Sequence, residues 1–370
     1  METGLEIAIN DLQIKVNRPE PIIGDIEVVI FSRKGDPKVA VNALMAGNFV
    51  LVTDFYSSGL LLLNELKVLI KNKYPKQSFL GQREFRDAFR ELSNRILLVV
   101  YEHKLEVKKA PDIGWLKILY PELSDFLLPF PQIQGLNSAW QWYKKGISIP
   151  TIDVKIYPFY GTYFPTRFEH LHIFDQWLKR YNGKRETVFD VGIGSGVLSF
   201  LLYKHGFAKV FGSDSNPNAI IGLNEVRNKI PKFSELQLFY GDLFAGCQEK
   251  AELVVFNPPW LPALHNAEGI DKAIYYDGDL FPRFFNEAVN HLSDEGRIVL
   301  LFSNLGHLTH EDFIHPILDE IQHGGRFEKE LFIKKNVGAA SVKTKRDQNW
   351  RTDELVELWV LKPRKSHQNA

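Results

Sequence analysis

The second half of the chain alternates short β-rich runs with amphipathic stretches, and this alternation constrains the fold more than any other feature. From about residue 165 onward, each apolar run is followed by a segment whose apolar residues recur at three- and four-residue steps. This βαβα rhythm is typical of a parallel sheet with helices on both faces. The predicted strands cover residues 187–191, 209–213, 236–240, 253–256, 297–302, 327–333 and 354–361.

The connections between these strands indicate how the sheet is built. The last two strands have no helix between them, so we expect an antiparallel hairpin at the sheet edge. Among the helices, one is predicted to open with a capping box at Thr166 and Glu169, and another to begin at Pro217 behind the capping residue Asn216. A third is predicted to be buried through Phe281, Phe284, Phe285, Ala288, Val289 and Leu292. The second half therefore belongs to the α/β class.

The first 150 residues follow a less regular pattern. A chain of 370 residues exceeds the size at which a single hydrophobic core keeps growing. We therefore expect an α+β domain over 1–155, with a role in substrate recognition, and a domain that carries the chemistry over 156–365. In the first domain the predicted strands are 27–31 and 49–53, the predicted helices are 60–72 and 83–94, and proline-marked loops are predicted over 111–165.

Composition excludes several classes of protein. The 45 basic side chains equal the 45 acidic ones, so no global positive field indicates nucleic-acid binding, and any polyanion site must be local. The single cysteine, Cys247, cannot form an intrachain disulfide, and no metal is expected. Glu2, Glu6 and Asp11 stand where a secretory signal needs a basic start, and no apolar run is long enough to span a bilayer. We expect a cytoplasmic protein with no membrane partner.

The strongest local signal is a glycine-rich turn between a predicted strand and a predicted helix. Residues 188–197 read Val-Phe-Asp-Val-Gly-Ile-Gly-Ser-Gly-Val. Glycines let the backbone approach a ligand closely, and the amino terminus of the helix offers unpaired N–H groups to a carboxylate or a phosphate. A dinucleotide dehydrogenase has a similar turn, but its G-x-G-x-x-G pattern needs glycine where Val197 stands. This departure disfavours a nicotinamide cofactor.

Two aspartates follow at the ends of the next two predicted strands. Asp214 comes eighteen residues after Gly196, where an acidic side chain can accept hydrogen bonds from ribose hydroxyls. Asp242, in Tyr240-Gly-Asp-Leu, is placed at the carboxyl edge of the sheet to accept from the amino group of an adenine. An aspartate after a glycine is also a common turn residue. With the glycine turn before them, the two aspartates favour the binding role.

The segment Asn257-Pro258-Pro259-Trp260 directly follows the strand predicted at 253–256. The Asn257 side-chain oxygen and the Pro258 carbonyl are acceptors, whereas the prolines add no donors and stiffen the backbone. Trp260 adds a flat face on which a planar amide or a base can stack. Two acceptors that hold an NH₂ group orient its lone pair for methyl transfer from a sulfonium and disperse the developing positive charge. Residues 257–260 are therefore the candidate catalytic residues; the alternative is a Pro-Pro loop with Trp260 as core filler.

In this order, D-x-G-x-G-S-G, an acidic strand end, G-D and N-P-P-aromatic resemble the class I S-adenosylmethionine-dependent methyltransferases of the N-P-P-[YFW] type, over about residues 155–362. The most similar members are the glutamine-amide methyltransferases of peptide-chain release factors and related small-domain enzymes that methylate exocyclic amines in ribosomal RNA. The resemblance implies a Rossmann-like seven-stranded sheet and S-adenosylmethionine as the cofactor. It implies that the residues that bind the cofactor are Asp190, Gly192, Gly194, Gly196, Asp214, Asp242 and Leu243.

The resemblance extends to the segment before the first strand of this sheet. Phe164-Pro-Thr-Arg167-Phe-Glu169 is similar to the segment that lines the substrate mouth in the release-factor enzymes, so Phe164 and Arg167 are candidate substrate contacts. The same residues also suit a plain helix start. Three features depart from the family: Trp260 stands where tyrosine is usual, the double glycine expected near Asp277 is absent, and the first 150 residues do not resemble the small helical recognition domain. The motifs therefore specify the methyl donor and leave the acceptor open.

The connection between the last two strands is rich in positive charge. It contains Lys334, Lys335, Lys343, Lys345, Arg346 and Arg351 against Asp347, with Trp350 among them. This connection is expected to leave the same sheet edge as Asn257, and a basic rim with an aromatic side chain suits phosphate contact and base stacking. Lys343, Lys345 and Arg346 are therefore candidate substrate-binding residues, and a solvated loop is the alternative.

Three functions stay open. The first is an S-adenosylmethionine-dependent N-methyltransferase that acts on a planar NH₂ nitrogen of a macromolecule, either a nucleobase amine in RNA or a glutamine amide in a protein such as a release factor. The others are a methyltransferase of a small molecule and a non-catalytic nucleotide-binding module. The intact acceptor pair of Asn257 and Pro258 favours catalysis.

Overall fold

The computed structural model describes residues 5–9, 12–73, 79–263, 273–310, 312–338 and 353–364. The chain divides into two compact units. One unit comprises Met1–Glu6 and Lys15–Lys145, and the other comprises Ile7–Ile14 and Gly146–Ala370. This division falls before the residue 155 boundary expected from the sequence, and the recognition role of the first part stays a prediction. None of the helices in these ranges is long and apolar enough to cross a membrane.

The first unit contains a mixed sheet. The pair β1 (Glu6–Ile9) and β2 (Leu12–Lys15) precedes this sheet in the chain and falls mostly in the other unit. The strands of the mixed sheet are β3 (Val28–Phe31), β4 (Phe49–Val52), β5 (Ile96–Tyr101), β6 (Lys104–Leu105) and β7 (Asp125–Pro129). Strands β3, β4 and β5 are parallel, whereas β6 and β7 pair antiparallel with β5. Strand β5 reads Ile-Leu-Leu-Val-Val-Tyr and is almost entirely buried, as a continuous apolar run predicts.

Five helices accompany this sheet: α1 (Pro37–Met45), α2 (Tyr56–Lys73), α3 (Phe79–Ser93), α4 (Trp115–Leu119) and α5 (Phe130–Lys145). The predicted strands and helices before residue 95 are confirmed to within a few residues at their ends. The predicted loop over 111–165 is wrong in part, because α4, β7 and α5 lie within it. Pro131 is the second residue of α5. Proline is compatible with a first helical turn, so its presence did not exclude a helix.

The second unit contains a seven-stranded sheet. Its strands, together with those of two short pairs, are β8 (Ile147–Ser148), β9 (Lys155–Ile156), β10 (Thr187–Val191), β11 (Lys209–Asp214), β12 (Leu236–Tyr240), β13 (Ala251–Phe256), β14 (Leu261–Pro262), β15 (Tyr275–Tyr276), β16 (Leu292–Ser303), β17 (Phe327–Asn336) and β18 (Leu355–Pro363). The strand order is β12-β11-β10-β13-β16-β18-β17. The first five are parallel, and β18 runs antiparallel between β16 and β17. The predicted α/β class and terminal hairpin are confirmed.

The helices of this unit are α6 (Glu169–Arg180), α7 (Val197–Lys204), α8 (Pro217–Lys229), α9 (Leu280–His291), α10 (Leu305–Thr309) and α11 (Pro316–Asp319), with a π-helical turn at Glu320–Gly324. The predicted cap of α8 is confirmed, because Asn216 Oδ1 accepts a hydrogen bond from Asn218 N at 3.1 Å. The capping box predicted at Thr166 is wrong, since α6 begins at Glu169 without a side-chain cap. Arg167 instead reaches Glu354, far along the chain.

Helix α9 packs its apolar stripe onto the sheet. Phe284 lies on Phe256 of β13 with ring centroids 4.8 Å apart, and Phe281 meets Phe302 of β16 edge-on at 5.6 Å. Full burial of each such ring stabilises the fold by about 1.5–3 kcal/mol. Val289 was predicted to lie on this stripe, but it is 41% exposed and lies outside it. The core thus fixes Phe256, the last residue of β13, where the Asn-Pro-Pro-Trp loop begins.

Candidate active site

The ends of three neighbouring strands meet at the carboxyl edge of the seven-stranded sheet. Val191 of β10 is aligned with Ser213 of β11 on one side and with Phe256 of β13 on the other. Neighbouring strands lie about 4.8 Å apart, so the residues that follow these ends are neighbours as well. The glycine turn, Asp214 and Asn257 therefore share one edge.

The glycine turn has a backbone that only glycine adopts easily. Gly192, Gly194 and Gly196 have φ values of 63°, 52° and 78°. A Cβ on Gly196 would lie 2.7 Å from Leu223 Cδ2 of α8. Gly194 N donates to Asp214 Oδ2 at 2.8 Å, which ties the turn to the end of β11. The turn is therefore tight, and it is held from below by neighbouring elements.

Asp190 is a buried carboxylate two residues before this turn, and it is 1% exposed. Its Oδ2 accepts a hydrogen bond from Ser199 Oγ at 2.6 Å. Its Oδ1 has no hydrogen-bond partner among the described residues. Burial raises the pKa of Asp190 to about 7 even though the Ser199 hydrogen bond lowers it. A buried acceptor without a partner favours a ligand that brings a donor or a positive charge.

Asp214 holds two backbone segments with one carboxylate. Besides the bond from Gly194, its Oδ1 accepts from Asn216 N at 2.8 Å. Burial raises the pKa of Asp214 to about 6, and these two hydrogen bonds oppose the shift. Each carboxylate oxygen has more than one acceptor position, so Asp214 can accept further hydrogen bonds from hydroxyl groups.

Asp242 lies two residues after β12, in an ion pair that the sequence did not indicate. Its partner is Arg283 of α9, whose Nε also lies 3.1 Å from Asp279 Oδ2. Leu243 is buried with a φ of 45°, and its carbonyl accepts a hydrogen bond from Ser213 Oγ. Leu243 therefore fastens this turn to β11. Asp242 stays exposed beside it and shares its charge with Arg283.

The loop at 257–260 is anchored by its tryptophan. Trp260 Nε1 donates to Asn257 Oδ1 at 3.1 Å and to the Leu301 carbonyl at 3.3 Å. Pro258 is buried, whereas Asn257, Pro259 and Trp260 are half-buried. The Trp260 ring packs against the core that includes Phe256. Trp260 thus has the anchoring contacts of the core-filler alternative, and it binds the asparagine that the sequence placed at the site.

His170 is a further residue at this loop that the sequence did not indicate. It lies in the first turn of α6, is 3% exposed, and meets the Trp260 ring edge-on with centroids 5.5 Å apart. Its Nδ1 has no hydrogen-bond partner among the described residues. Burial lowers the pKa of His170 to about 4, so the imidazole is neutral at neutral pH. The contact joins residues far apart in sequence, which is why no local pattern predicted it.

The predicted substrate contacts are partly described. Arg167 Nη1 donates to Glu354 Oε2 at 2.6 Å, so this guanidinium already has an anionic partner. Phe164 is half-buried. Lys343, Lys345 and Arg346 lie outside the described residues. Lys334 and Lys335, at the end of β17 on the same connection, are exposed.

A segment before α6 is fastened beside the glycine turn by two asparagines. Asn216 Nδ2 donates to the Gly161 carbonyl at 2.9 Å, and Asn218 Nδ2 donates to the Tyr160 carbonyl at 2.7 Å. A Cβ on Gly194 would lie 3.5 Å from the Tyr163 carbonyl. This segment therefore covers the turn, and Asn216 and Asn218 are positioning residues that the capping pattern alone did not identify.

These features define a class of protein. When the seven strands of the large sheet are numbered 1 to 7 in chain order, their order in the sheet is 3-2-1-4-5-7-6. The seventh strand is antiparallel, and the first leads into the glycine turn. This is the sheet of the class I methyltransferases. Among the residues described, no group of three or more His, Cys, Asp or Glu side chains is arranged to hold a metal ion.

Comparison with known families identifies the domain. Residues 173–323 match the family model of the methyltransferase small domain, so this part of the chain carries a domain of the class I S-adenosylmethionine-dependent methyltransferase type. The family predicted from the sequence motifs is confirmed. Use of S-adenosylmethionine is a property of this family.

Individual relatives share parts of the sequence. A Methanocaldococcus jannaschii protein, provisionally named as a protein N5-glutamine methyltransferase, is 32% identical over 129 residues, which are 33% of this chain and 64% of the relative. Ribosomal RNA small subunit methyltransferase C of Alcanivorax borkumensis is 36% identical over 80 residues, which are 21% of this chain and 23% of the relative. The chain thus spans less than two thirds of the length of either relative.

A solved structure is similar as well. The ribosomal protein L11 methylase from Lactobacillus delbrueckii subsp. bulgaricus has a TM-score of 0.36 and 16% sequence identity, and the match covers 55% of this chain and 82% of that one.

Proposed function

We propose that the protein is an S-adenosylmethionine-dependent N-methyltransferase that acts on a planar NH₂ nitrogen of a macromolecule. The observation that carries the proposal is the register of β10 and β13, which pairs Val191 with Phe256, the residues directly before Gly192 and Asn257. A Cβ on Gly192 would lie only 3.2 Å from the Phe256 ring, so the turn and the loop lie against each other. A methyl donor held at the turn is then next to a nitrogen held at the loop.

The residues at the turn fit the cofactor. The unpartnered Oδ1 of Asp190 would accept a hydrogen bond from the cofactor's ammonium group, and its negative charge would be stabilised by it. Asp214 would accept from ribose hydroxyls, and Asp242 from the adenine amine, with Leu243 fixing that turn. Gly192, Gly194 and Gly196 leave room for close approach to the backbone. When bound, S-adenosylmethionine supplies an electrophilic methyl group.

The loop residues act on the acceptor nitrogen. Asn257 Oδ1 accepts one hydrogen bond from Trp260 and has a second acceptor position. Together with the Pro258 carbonyl it would accept both N–H bonds of an NH₂ group, which points the nitrogen lone pair away from the loop and disperses positive charge as it forms. Pro259 keeps this backbone stiff.

The acceptor we propose is a glutamine amide of a protein or an exocyclic amine of RNA, since the relatives carry names of both kinds. Phe164 and Arg167 would line its entry, and Arg167 would share its charge between Glu354 and the substrate. We assign recognition of the macromolecule to the first unit. The basic residues Lys343, Lys345 and Arg346 favour RNA.

The test uses the whole protein, tritiated S-adenosylmethionine and an extract from cells that lack the protein. We expect incorporation of label that ribonuclease or protease releases, which distinguishes the two acceptor classes. Asn257→Ala should lower incorporation by about 100-fold, because one of two groups that stabilise the transition state is lost. Asn224→Ala is the matched control, since Asn224 contacts Arg227 on α8 rather than the site.

Two results would contradict the proposal. Label found in small molecules, and not in RNA or protein, would indicate a small-molecule methyltransferase. A non-catalytic module would incorporate no label in any fraction. Calorimetry would still detect binding of S-adenosylmethionine, and Asn257→Ala would not change that binding.

A further inference from the structure

Trp260 decides which end of the Asn257 amide faces the indole. An indole N–H is only a donor, whereas a side-chain amide has an acceptor oxygen and a donor nitrogen. The Trp260 N–H points at Asn257 and at the Leu301 carbonyl of β16, at 3.1 Å and 3.3 Å. If the amide were turned over, its NH₂ group would meet the indole N–H donor to donor. The indole therefore fixes the acceptor oxygen of Asn257 in one position.

The anchor of this indole is rigid. Leu301 belongs to β16, a strand whose final residues are completely or almost completely buried. On another side, the neutral imidazole of His170 stands perpendicular to the Trp260 ring, with an interplanar angle of 90° and centroids 5.5 Å apart. Edge-to-face packing is a favoured arrangement of aromatic rings. The indole is thus held by a strand carbonyl and by a buried ring from α6.

We propose that Trp260 and His170 are positioning residues: His170 holds the Trp260 ring, and the Trp260 N–H holds Asn257 with its oxygen as acceptor. This inference rests on the proposed function, because an acceptor oxygen at Asn257 is what an NH₂ substrate requires. It assigns no contact with substrate to either residue. If the Asn257 amide were turned over, its N–H groups would face the N–H groups of the substrate, and no hydrogen bond could form between them.

The first test is spectroscopic and needs no methyl acceptor. In protein labelled with ¹⁵N-tryptophan, the Trp260 indole resonance is assigned by its loss in Trp260→Phe. We expect Asn257→Ala and His170→Leu each to shift it, whereas Asn224→Ala and His172→Leu should leave it in place. An unchanged indole resonance in Asn257→Ala or His170→Leu overturns the inference even if the protein never transfers a methyl group.

The second test is kinetic and uses the tritiated S-adenosylmethionine and the cell extract described above. Trp260→Phe keeps an aromatic ring and removes the donor, so we expect the initial rate of label incorporation at saturating S-adenosylmethionine to fall about tenfold or more, while the Kd for S-adenosylmethionine stays within about twofold. Trp260→Tyr offers an O–H donor and should recover part of the loss. Trp177→Phe, in the same helix as His170 but stacked on Phe174, is the matched control.

A double-mutant cycle separates orientation from packing. Both oxygens of a carboxylate are acceptors, so in an Asn257→Asp background either orientation of the side chain presents an acceptor. We expect Trp260→Phe to cost much less in that background than in the wild type, a coupling that a purely structural role would not produce. A wild-type rate of incorporation in Trp260→Phe, or equal losses of rate in the two backgrounds, overturns the inference.

Discussion

Asp190 is a residue whose ionisation the fold opposes, because burial raises its pKa in the free protein to about 7. A cationic cofactor needs the ionised carboxylate. We therefore expect the affinity for S-adenosylmethionine to rise as the pH increases from about 6 to about 8, with a proton released on binding. The raised pKa of Asp214, about 6, adds to this trend. Calorimetry in buffers of different ionisation enthalpy measures both quantities.

Asp190→Asn is the control for this prediction, since it should bind the cofactor more weakly and with a flatter pH dependence. Stability gives an independent check. The pKa in the folded protein lies above the ordinary value of 3.8, so the contribution of Asp190 to stability is fully present below about pH 4 and is lost as the pH rises through about 7. Asp190→Asn should therefore stabilise the free protein at pH 8. A wild-type affinity that does not change with pH would contradict the coupling.

Gly196 and Gly206 offer a matched pair for the glycine turn. Both have positive φ, 78° and 84°, but a Cβ at Gly196 would meet Leu223 at 2.7 Å while none of the surrounding atoms lies within 4 Å of one at Gly206. Gly206→Ala should cost about 1–2 kcal/mol from backbone strain alone. Gly196→Ala should cost about 1–3 kcal/mol more, because Leu223 must move. Urea denaturation measures both, and equal losses would refute the packing argument.

Helices α6 and α7 are joined by a buried carboxylate. Asp175 of α6 lies 2.8 Å from His205 Nε2 just after α7, 2.8 Å from Lys179 and 3.5 Å from Lys204. Burial raises the pKa of Asp175, but hydrogen bonds from Lys179 and His205 outweigh it and lower the value to about 2. Such a lowered pKa contributes stability that is present above about pH 4 and is lost as the pH falls towards 2.

Asp175→Asn should therefore lower the free energy of unfolding at pH 7 by about 2 kcal/mol. At pH 3 the difference from the wild type should be smaller, because the wild-type carboxylate is losing its advantage. Urea titrations at both values check this. A difference that is the same at pH 7 and pH 3 would show that Asp175 acts by packing and not by charge.

Elements that carry their own signal could be predicted, and those fixed by distant contacts could not. The Asn216 cap, the strand before the glycine turn and the terminal hairpin were all readable locally. The start of α6 was not: the helix begins at Glu169 without a side-chain cap, and the nearby Arg167 pairs with Glu354, far along the chain. The same holds at the site: its motifs were readable, whereas His170 and Arg283 enter through contacts with Trp260 and Asp242 that only the folded chain creates.

At the scale of the whole molecule, binding of RNA would depend on a local cluster, because the net charge is zero. Replacing Lys343, Lys345 and Arg346 together by Ala should weaken RNA binding. The slope of log K against log salt should fall by about 2–3, one counterion for each lost phosphate contact. Filter binding at several salt concentrations measures this.

The control removes the same charge elsewhere, through Ala at the exposed residues Lys184, Lys232 and Lys250 of the second unit. It should leave the slope unchanged if the cluster alone contacts phosphate. Equal effects of the two triple variants would indicate diffuse attraction, and no effect of either would leave a protein as the macromolecular acceptor.

The carboxylate of Asp214 grips the backbone on both sides of the sheet edge, through Gly194 and through Asn216. Both hydrogen bonds are made within the chain, so one carboxylate holds the two loops together. A guest at this edge would spend little of its binding free energy on freezing main-chain motion, and a preorganised cradle of this kind tolerates weak individual contacts.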